Sequence, residues 1–107
     1  MYDFYSDTKT KPTLAMRKAV LDCAVGDEQK GEDPTTIELC QRVANLLGKD
    51  AAVFMPSGTM CNEIAIKIHT DPGDEIICEN SCHIINFETG GPAAISGVMI
   101  RAIDGIN

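Results

Sequence analysis

Several features that mark whole classes of protein are missing from this sequence. Met1 is not followed by a basic start and a long apolar stretch, and no later apolar run is long enough to cross a bilayer. The nine lysine and arginine residues are scattered, and the formal net charge of −7 disfavours contact with a phosphate backbone. We therefore expect a cytoplasmic protein that binds neither membrane nor nucleic acid.

A cysteine framework and a metal motif are also lacking. The five cysteines are odd in number and include no CxxC pair, which argues against the disulfides of a secreted protein and favours reduced thiols. Cys78, Cys82 and His83 come nearest to a metal motif, but no second pair of ligands accompanies them. We therefore expect no bound metal. The sequence also has no internal repeat or low-complexity tract, which excludes a solenoid.

The composition is that of a soluble globular protein. The hydrophobic fraction is 44% and the charged fraction 23%, and 107 residues suffice for one compact domain with a modest core. We predict an N-terminal arm over 1–11 and a domain over 12–107.

Start and stop signals alternate between helices and strands along the chain. Helices are predicted from Thr13 to Gly26, from an Asp33 cap to Gly48, and from Thr59 to the turn at 71–74. A fourth, short helix is predicted after an Asn80–Ser81 cap, and the chain is expected to break at 90–92. Apolar runs predict strands over 51–55, 75–78 and 98–103.

This order of elements predicts an α/β fold with a mostly parallel sheet and flanking helices. Three strands make a thin sheet, however, and at least one edge would expose unpaired backbone groups. The pattern therefore indicates an incomplete portion of a larger α/β domain.

The clearest local signal for chemistry is the sequence Ser57-Gly58-Thr59, where a predicted strand turns directly into a helix. Two hydroxyls, a glycine and the first free N–H groups of a helix together favour a bound anion such as phosphate. His83 follows the next predicted strand, and ligands gather at the carboxyl edge of parallel sheets. We therefore expect both sites to face one crevice, with His83 stacked on a ring or exchanging protons.

Simpler interpretations exist for each of these residues. Ser57 can be only an N-cap, and a lone histidine is more often a hydrogen-bonded structural residue than a catalytic one. The hydroxyl-rich arm that contains Ser6, Thr8 and Thr10 can simply cap turns.

Seven short motifs are distributed over nearly the whole chain: 4–13 (FYSDTKTKPT), 15–18 (AMRK), 31–35 (GEDPT), 56–60 (PSGTM), 71–75 (DPGDE), 81–83 (SCH) and 96–98 (SGV). In their order and spacing they resemble the low-specificity L-threonine aldolases, a family of fold-type I pyridoxal-phosphate enzymes. The resemblance implies a large PLP-binding domain and retro-aldol cleavage of L-threonine or allo-threonine to glycine and acetaldehyde.

The same resemblance implies roles for individual residues. Ser57, Gly58 and Thr59 would bind the phosphate of pyridoxal 5'-phosphate, and His83 would stack on its ring beside the substrate. Ser6 would help to hold the carboxylate of a small β-hydroxy amino acid, and the enzyme would act as a homo-oligomer. Thr8 and Thr10 would lie near a cation site that some family members have.

The chain departs from the family pattern in three ways. Lys30 stands where the family usually has an aromatic residue, and Phe87 stands where tyrosine is frequent, so the substrate preference is open. None of the six lysines lies where the family places its Schiff-base lysine, and we expect the chain to be inactive alone. The alternatives are another fold-type I enzyme, namely a phenylserine aldolase or a β-eliminating lyase, and a non-catalytic module that binds an anion or a partner chain.

Overall fold

The structure is a computed structural model that describes residues 3–106. The chain divides into two compact units, Met1–Phe54 and Met55–Asn107. The predicted arm, 1–11, begins with two residues that lie outside the described part, and its remainder contains a 3-10 turn at Asp7–Lys9. The assignment of 12–107 to one domain stays a prediction.

The first helix, α1 (Leu14–Asp22), begins where the sequence predicts. The Thr13 side chain caps it by accepting a backbone N–H of the first turn at 3.2 Å. The predicted end at Gly26 is wrong, because Cys23 is already extended. The Gly26 N–H instead donates to the Asp33 carboxylate at 2.8 Å, which holds this glycine in the loop before the next helix.

The second helix, α2 (Pro34–Leu47), is confirmed at both ends. Asp33 caps it by accepting the Thr36 N–H at 2.8 Å, and Pro34 occupies the first turn, where its missing N–H costs nothing. Gly48 ends the helix with φ of 61°, a left-handed conformation that glycine adopts without steric cost.

The strand predicted over 51–55 does not form. A strand needs a neighbour that completes its ladder of hydrogen bonds, and no segment of residues 3–106 pairs with this one. Val53 is 74% exposed and Phe54 is 54% exposed, so these apolar side chains are not covered by a neighbouring segment. The boundary between the two units falls here, after Phe54.

The second unit is a parallel βαβ arrangement that follows a helix. Helix α3 (Gly58–His69) leads to strand β1 (Glu75–Glu79), and strand β2 (Met99–Ile103) pairs with β1 in parallel. Glu75 lies opposite Met99, and Glu79 lies opposite Ile103. Two of the three predicted strands are thus confirmed, and the chain is of the α/β class with a two-stranded sheet.

The connection between the strands contains two helices, α4 (His83–Asn86) and α5 (Gly91–Ser96), where the sequence predicts one. Helix α5 begins at the predicted break, because a proline is well tolerated in the first turn of a helix. The predicted Asn80–Ser81 cap of α4 is also wrong. The N-cap is Cys82, and the Ser81 hydroxyl and N–H bond to the Glu79 carboxylate instead.

The buried apolar core of the described residues is small. It consists of Ala44 in the first unit and Ile66 and Val98 in the second, where α3 packs against α5. Large apolar side chains of α1 and α2 remain exposed, Leu14 at 84% and Leu46 at 81% among them. Over residues 3–106, no helix combines the length and the hydropathy that a bilayer crossing requires.

Candidate functional site

The turn that opens α3 is accessible to a ligand. Ser57 is extended, and its hydroxyl accepts the Met60 N–H at 3.1 Å, so this serine is the N-cap of the helix. Ser57, Gly58 and Thr59 are exposed, and a Cβ placed on Gly58 would meet no atom within 4 Å. Within the described chain, the N–H groups of Gly58 and Thr59 donate to no protein acceptor. The cap and an open anion-binding turn therefore coexist.

The turn borders an apolar groove of about 430 Å³ on α3 and α5. The residues that line it are Ser57, Thr59, Met60, Glu63, Ile64, Lys67 and Ile95. Polar groups that suit an anion thus lie at one end of a surface that suits an apolar group.

His83 lies where the sequence predicts, four residues after the carboxyl end of β1. The corresponding argument for Ser57 is wrong, because the segment before it is not a strand. The His83 side chain is 57% exposed, and its ring lies 5.0 Å from the Phe87 ring, with 34° between the ring planes. The imidazole is therefore both accessible and packed on one side.

A buried carboxylate connects His83 to α3. Oε1 of Glu88 accepts the Asn62 side-chain amide at 2.6 Å and lies 2.8 Å from Nδ1 of His83. Asn62 is four residues beyond Gly58, or about 6 Å along the helix axis at 1.5 Å per residue. The structure thus brings His83 within one hydrogen-bonded network of the first turns of α3.

Two buried glutamates in this unit, Glu63 and Glu88, have pKa values that are shifted in opposite directions. Burial, and then the charge of Glu88, raise the pKa of Glu63, whose two carboxylate oxygens have no partner among the described residues. Burial by itself would raise the pKa of Glu88 too. The hydrogen bonds from Asn62 and His83 and the charge of His83 outweigh that effect and lower the pKa of Glu88. Glu88 is therefore the anionic member of the pair.

The remaining predicted site residues lie in the first unit. The Ser6 and Thr8 hydroxyls are 2.8 Å apart, and the Thr8 N–H donates to Oγ of Ser6 at 3.3 Å. Lys30 is exposed and lies 3.6 Å from the Asp27 carboxylate. Thr10 is exposed. The roles of Ser6, Thr8 and Thr10 therefore stay predictions. Among residues 3–106, no group of three acidic, histidine or cysteine side chains is placed to hold a metal ion.

Sequence reasoning missed Glu88, Asn62 and Glu63. Asn62 and Glu63 lie within a helix that the pattern predicts, and Glu88 lies in the loop after α4. Their importance comes from contacts between segments up to 26 residues apart. The only local signal is an acidic residue five positions after the candidate histidine, which is too common to carry weight.

The second unit has helices beside a pair of parallel strands, which is an α/β arrangement. The exposed N-terminus of α3 and the hydrogen-bonded His83 make it a candidate anion-binding site. The model of the beta-eliminating lyase family matches residues 3–107, and the chain belongs to this family. The predicted family resemblance is thereby confirmed.

Curated relatives are named as L-threonine aldolases. The chain is 46% identical over 102 residues to low-specificity L-threonine aldolase 1 of Arabidopsis thaliana, and this match covers 94% of the chain and 28% of the relative. It is 40% identical over 104 residues to the Escherichia coli K12 low specificity L-threonine aldolase, with coverages of 97% and 31%. For the Saccharomyces cerevisiae enzyme of that name, identity is 41% over 99 residues, with coverages of 92% and 26%. The chain thus spans less than a third of the length of these relatives.

Proposed function

We propose that this chain supplies the phosphate-binding part of a pyridoxal-phosphate-dependent aldolase with a fold-type I large domain. The reaction is retro-aldol cleavage of a small β-hydroxy amino acid, L-threonine or allo-threonine, to glycine and acetaldehyde. The family membership and the names of the relatives support this reaction. The observation that carries the proposal is the exposed turn from Ser57 to Thr59, which has free N–H groups at the start of a twelve-residue helix.

The residues present at this turn fit a phosphate group. The N–H groups of Gly58 and Thr59 can donate to phosphate oxygens, and the helix start contributes a partial positive charge. Oγ of Ser57 accepts from Met60, which leaves its own proton free to donate. Because Gly58 has no side chain and faces open space, a phosphate can approach the backbone closely.

Bound pyridoxal phosphate would supply an electron sink for the carbon–carbon bond cleavage. In this proposal, His83 would pack against the cofactor ring, and its Nε2 would accept the proton of the substrate β-hydroxyl. Ser6 would hydrogen-bond the substrate carboxylate, and Thr8 and Thr10 would lie near a cation. In this proposal, none of the six lysines of this chain serves as the Schiff-base lysine.

The proposal includes a homo-oligomeric, cytoplasmic enzyme with sites formed between subunits. The large exposed apolar side chains of both units support an extensive interface. A β-elimination on a related amino acid is the second candidate, because the family model that matches is described as a beta-eliminating lyase. Assays with β-hydroxy substrates and with substrates that carry a β-leaving group separate the two reactions.

The phosphate site can be tested on the 107-residue chain by comparing pyridoxal 5'-phosphate with pyridoxal, which lacks the phosphate. Equilibrium dialysis should show tighter retention of the phosphorylated form. Thr59→Val should weaken that retention about tenfold or more, since a hydrogen bond to a charged group contributes about 1.5–3 kcal/mol. Equal retention of both compounds would refute the phosphate site.

Thr35→Val is the control for the same change at the second residue of another helix, α2; because it also removes the hydrogen bond from the Thr35 hydroxyl to the Ala24 carbonyl oxygen, circular dichroism should accompany it. It should leave cofactor retention unchanged. Borohydride treatment followed by peptide mapping tests the statement about lysine. A cofactor adduct fixed on any of the six lysines would overturn it.

A further inference from the structure

Glu88 is a buried acidic residue in a short loop, where acidic side chains are usually exposed. Its side chain is fully buried, although it belongs to the segment between α4 and α5 rather than to a helix or a strand. Burying a carboxylate is costly unless hydrogen bonds compensate for the lost water. Asn62 and His83 provide two such bonds, both to Oε1, whereas the buried Oε2 has no partner among the described residues. The burial of Glu88 is therefore coupled to where these two side chains lie.

The chemistry of the acceptor fixes the proton on His83. An ionised carboxylate can only accept hydrogen bonds, and the pKa of Glu88 is lowered, so Nδ1 of His83 must carry the hydrogen at the 2.8 Å contact. In the neutral ring, Nε2 is then the unprotonated nitrogen. Nε2 has no protein partner among the described residues, and the side chain is 57% exposed. A proton acceptor is thus presented on the accessible part of the ring.

One further contact and one backbone torsion angle indicate that this arrangement is held in place. The Phe87 ring packs against the imidazole at a centroid distance of 5.0 Å. Thr89, immediately after Glu88, has φ of 52°, the only positive φ of a non-glycine residue in the described chain. A β-branched residue in the left-handed region is strained, and such strain persists where surrounding contacts determine the conformation.

We propose that Glu88, held by Asn62, is a positioning residue that locks His83 in the Nδ1–H tautomer and leaves Nε2 free to accept a proton from the ligand that the Ser57–Thr59 turn binds. This role rests on the proposed function for its meaning, because it prepares His83 to take a proton from the substrate. Glu88 itself touches neither substrate nor cofactor in this arrangement. The structural part, a single tautomer fixed by a buried acid, needs no cofactor and can be tested alone.

The test is a two-dimensional 1H–15N NMR correlation of the histidine ring nitrogens at about pH 9, well above the ordinary histidine pKa. The chain contains an internal reference, since His69 is exposed and its imidazole makes no hydrogen bond within residues 3–106. His69 should show the Nε2–H form that a free imidazole prefers in water. His83 should show Nδ1–H in excess by about tenfold or more, as expected for a charge-assisted hydrogen bond.

Glu88→Leu removes the acceptor at similar size and should return His83 to the pattern of His69. Glu38→Leu, at an exposed glutamate of α2, removes the same charge elsewhere and should leave His83 unchanged. If the Glu88 variant does not fold, the comparison of His83 with His69 in the unaltered chain still decides. The same tautomer at both histidines would overturn the proposal.

The outcome is separable from that of the cofactor experiment. A chain that shows the Nδ1–H form at His83 but retains pyridoxal phosphate no better than pyridoxal would keep the tautomer lock and lose the proposed function. A chain that retains the phosphorylated cofactor while His83 matches His69 would keep the function and lose the role of Glu88.

Discussion

Glu63 is expected to destabilise this chain at neutral pH. It lies on the buried face of α3 at 7% exposure, and its carboxylate packs directly against Gly91 of α5. Neither carboxylate oxygen has a partner among the described residues, and burial together with Glu88 raises the pKa of the group. A buried, unpaired polar group typically costs about 1–3 kcal/mol in proteins. Substituting Glu63 by an apolar residue should therefore raise the free energy of unfolding.

The perturbation is Glu63→Leu, which keeps the approximate length and a high helix propensity while removing both oxygens. Replacement of buried ionic groups by apolar ones of similar volume is often neutral or stabilising by about 1–4 kcal/mol. Some of the gain is offset because a branched side chain must fit against Gly91. We expect a net rise of about 2 kcal/mol in the free energy of unfolding at about pH 8.

The pH dependence has a definite sign. Because the native pKa of Glu63 is raised above its ordinary value of 4.5, any stabilisation from its proton is complete below that value. It is lost as pH rises through the native pKa. The advantage of Glu63→Leu should therefore be larger at about pH 8 than at about pH 5. Glu88 has the opposite dependence, since its lowered pKa gives stability that disappears on acidification.

Urea unfolding followed by circular dichroism at both pH values provides the measurement. A gain of about 2 kcal/mol moves the midpoint by about 1–2 M when the slope is about 1–2 kcal/mol/M. Glu38→Leu on the exposed face of α2 is the control, with an expected change within about 0.5 kcal/mol. A Glu63→Leu protein that is less stable at about pH 8, or whose advantage is the same at both pH values, would refute the reasoning.

Three glycine and backbone substitutions give further tests by urea unfolding. Gly26→Ala should destabilise the chain by about 1–3 kcal/mol, because the added Cβ would overlap the Glu32 carbonyl oxygen, and an unchanged midpoint would contradict the loop geometry. Thr89→Gly should stabilise it by about 0.5–1 kcal/mol by relieving a left-handed φ of 52°, and a loss of stability would show that threonine is not strained there. Gly58→Ala faces open space in the first turn of α3, so it should leave stability unchanged or slightly higher while weakening pyridoxal-phosphate retention in dialysis. Unchanged retention would count against close approach of the phosphate to this backbone.

The sequence predicts best the elements that local chemistry determines. Helix α2 is bounded by an Asp33 cap, a proline in the first turn and Gly48, and each of these acts within a few residues of itself. The strand predicted over 51–55 fails for the opposite reason. Its apolar run is compatible with a strand, but strand formation depends on a partner elsewhere, and residues 3–106 provide none.

In the site, too, some features follow from local sequence and others depend on contacts between distant segments. The open turn at Ser57 to Thr59 and the placement of His83 after β1 follow from short motifs. The carboxylate that connects His83 to α3 does not follow from a motif, because Glu88 contacts Asn62 across 26 positions and is buried only when α3 and its neighbours pack. Pattern reading locates residues on elements, whereas the contacts between elements decide which side chains share a network.

The two buried glutamates of the second unit show how the same burial produces different chemistry. Glu63 has no hydrogen-bond partner and is driven toward its neutral form, while Glu88 has two and is held in its charged form. The negative charge of Glu88 itself contributes to the raised pKa of Glu63. A neutral Glu63 is compatible with an ionised Glu88, and only an ionised Glu88 is restricted to accepting a hydrogen bond from Nδ1. The hydrogen bonds from Asn62 and His83 thus determine which acid is charged, and that choice determines which nitrogen of His83 is free.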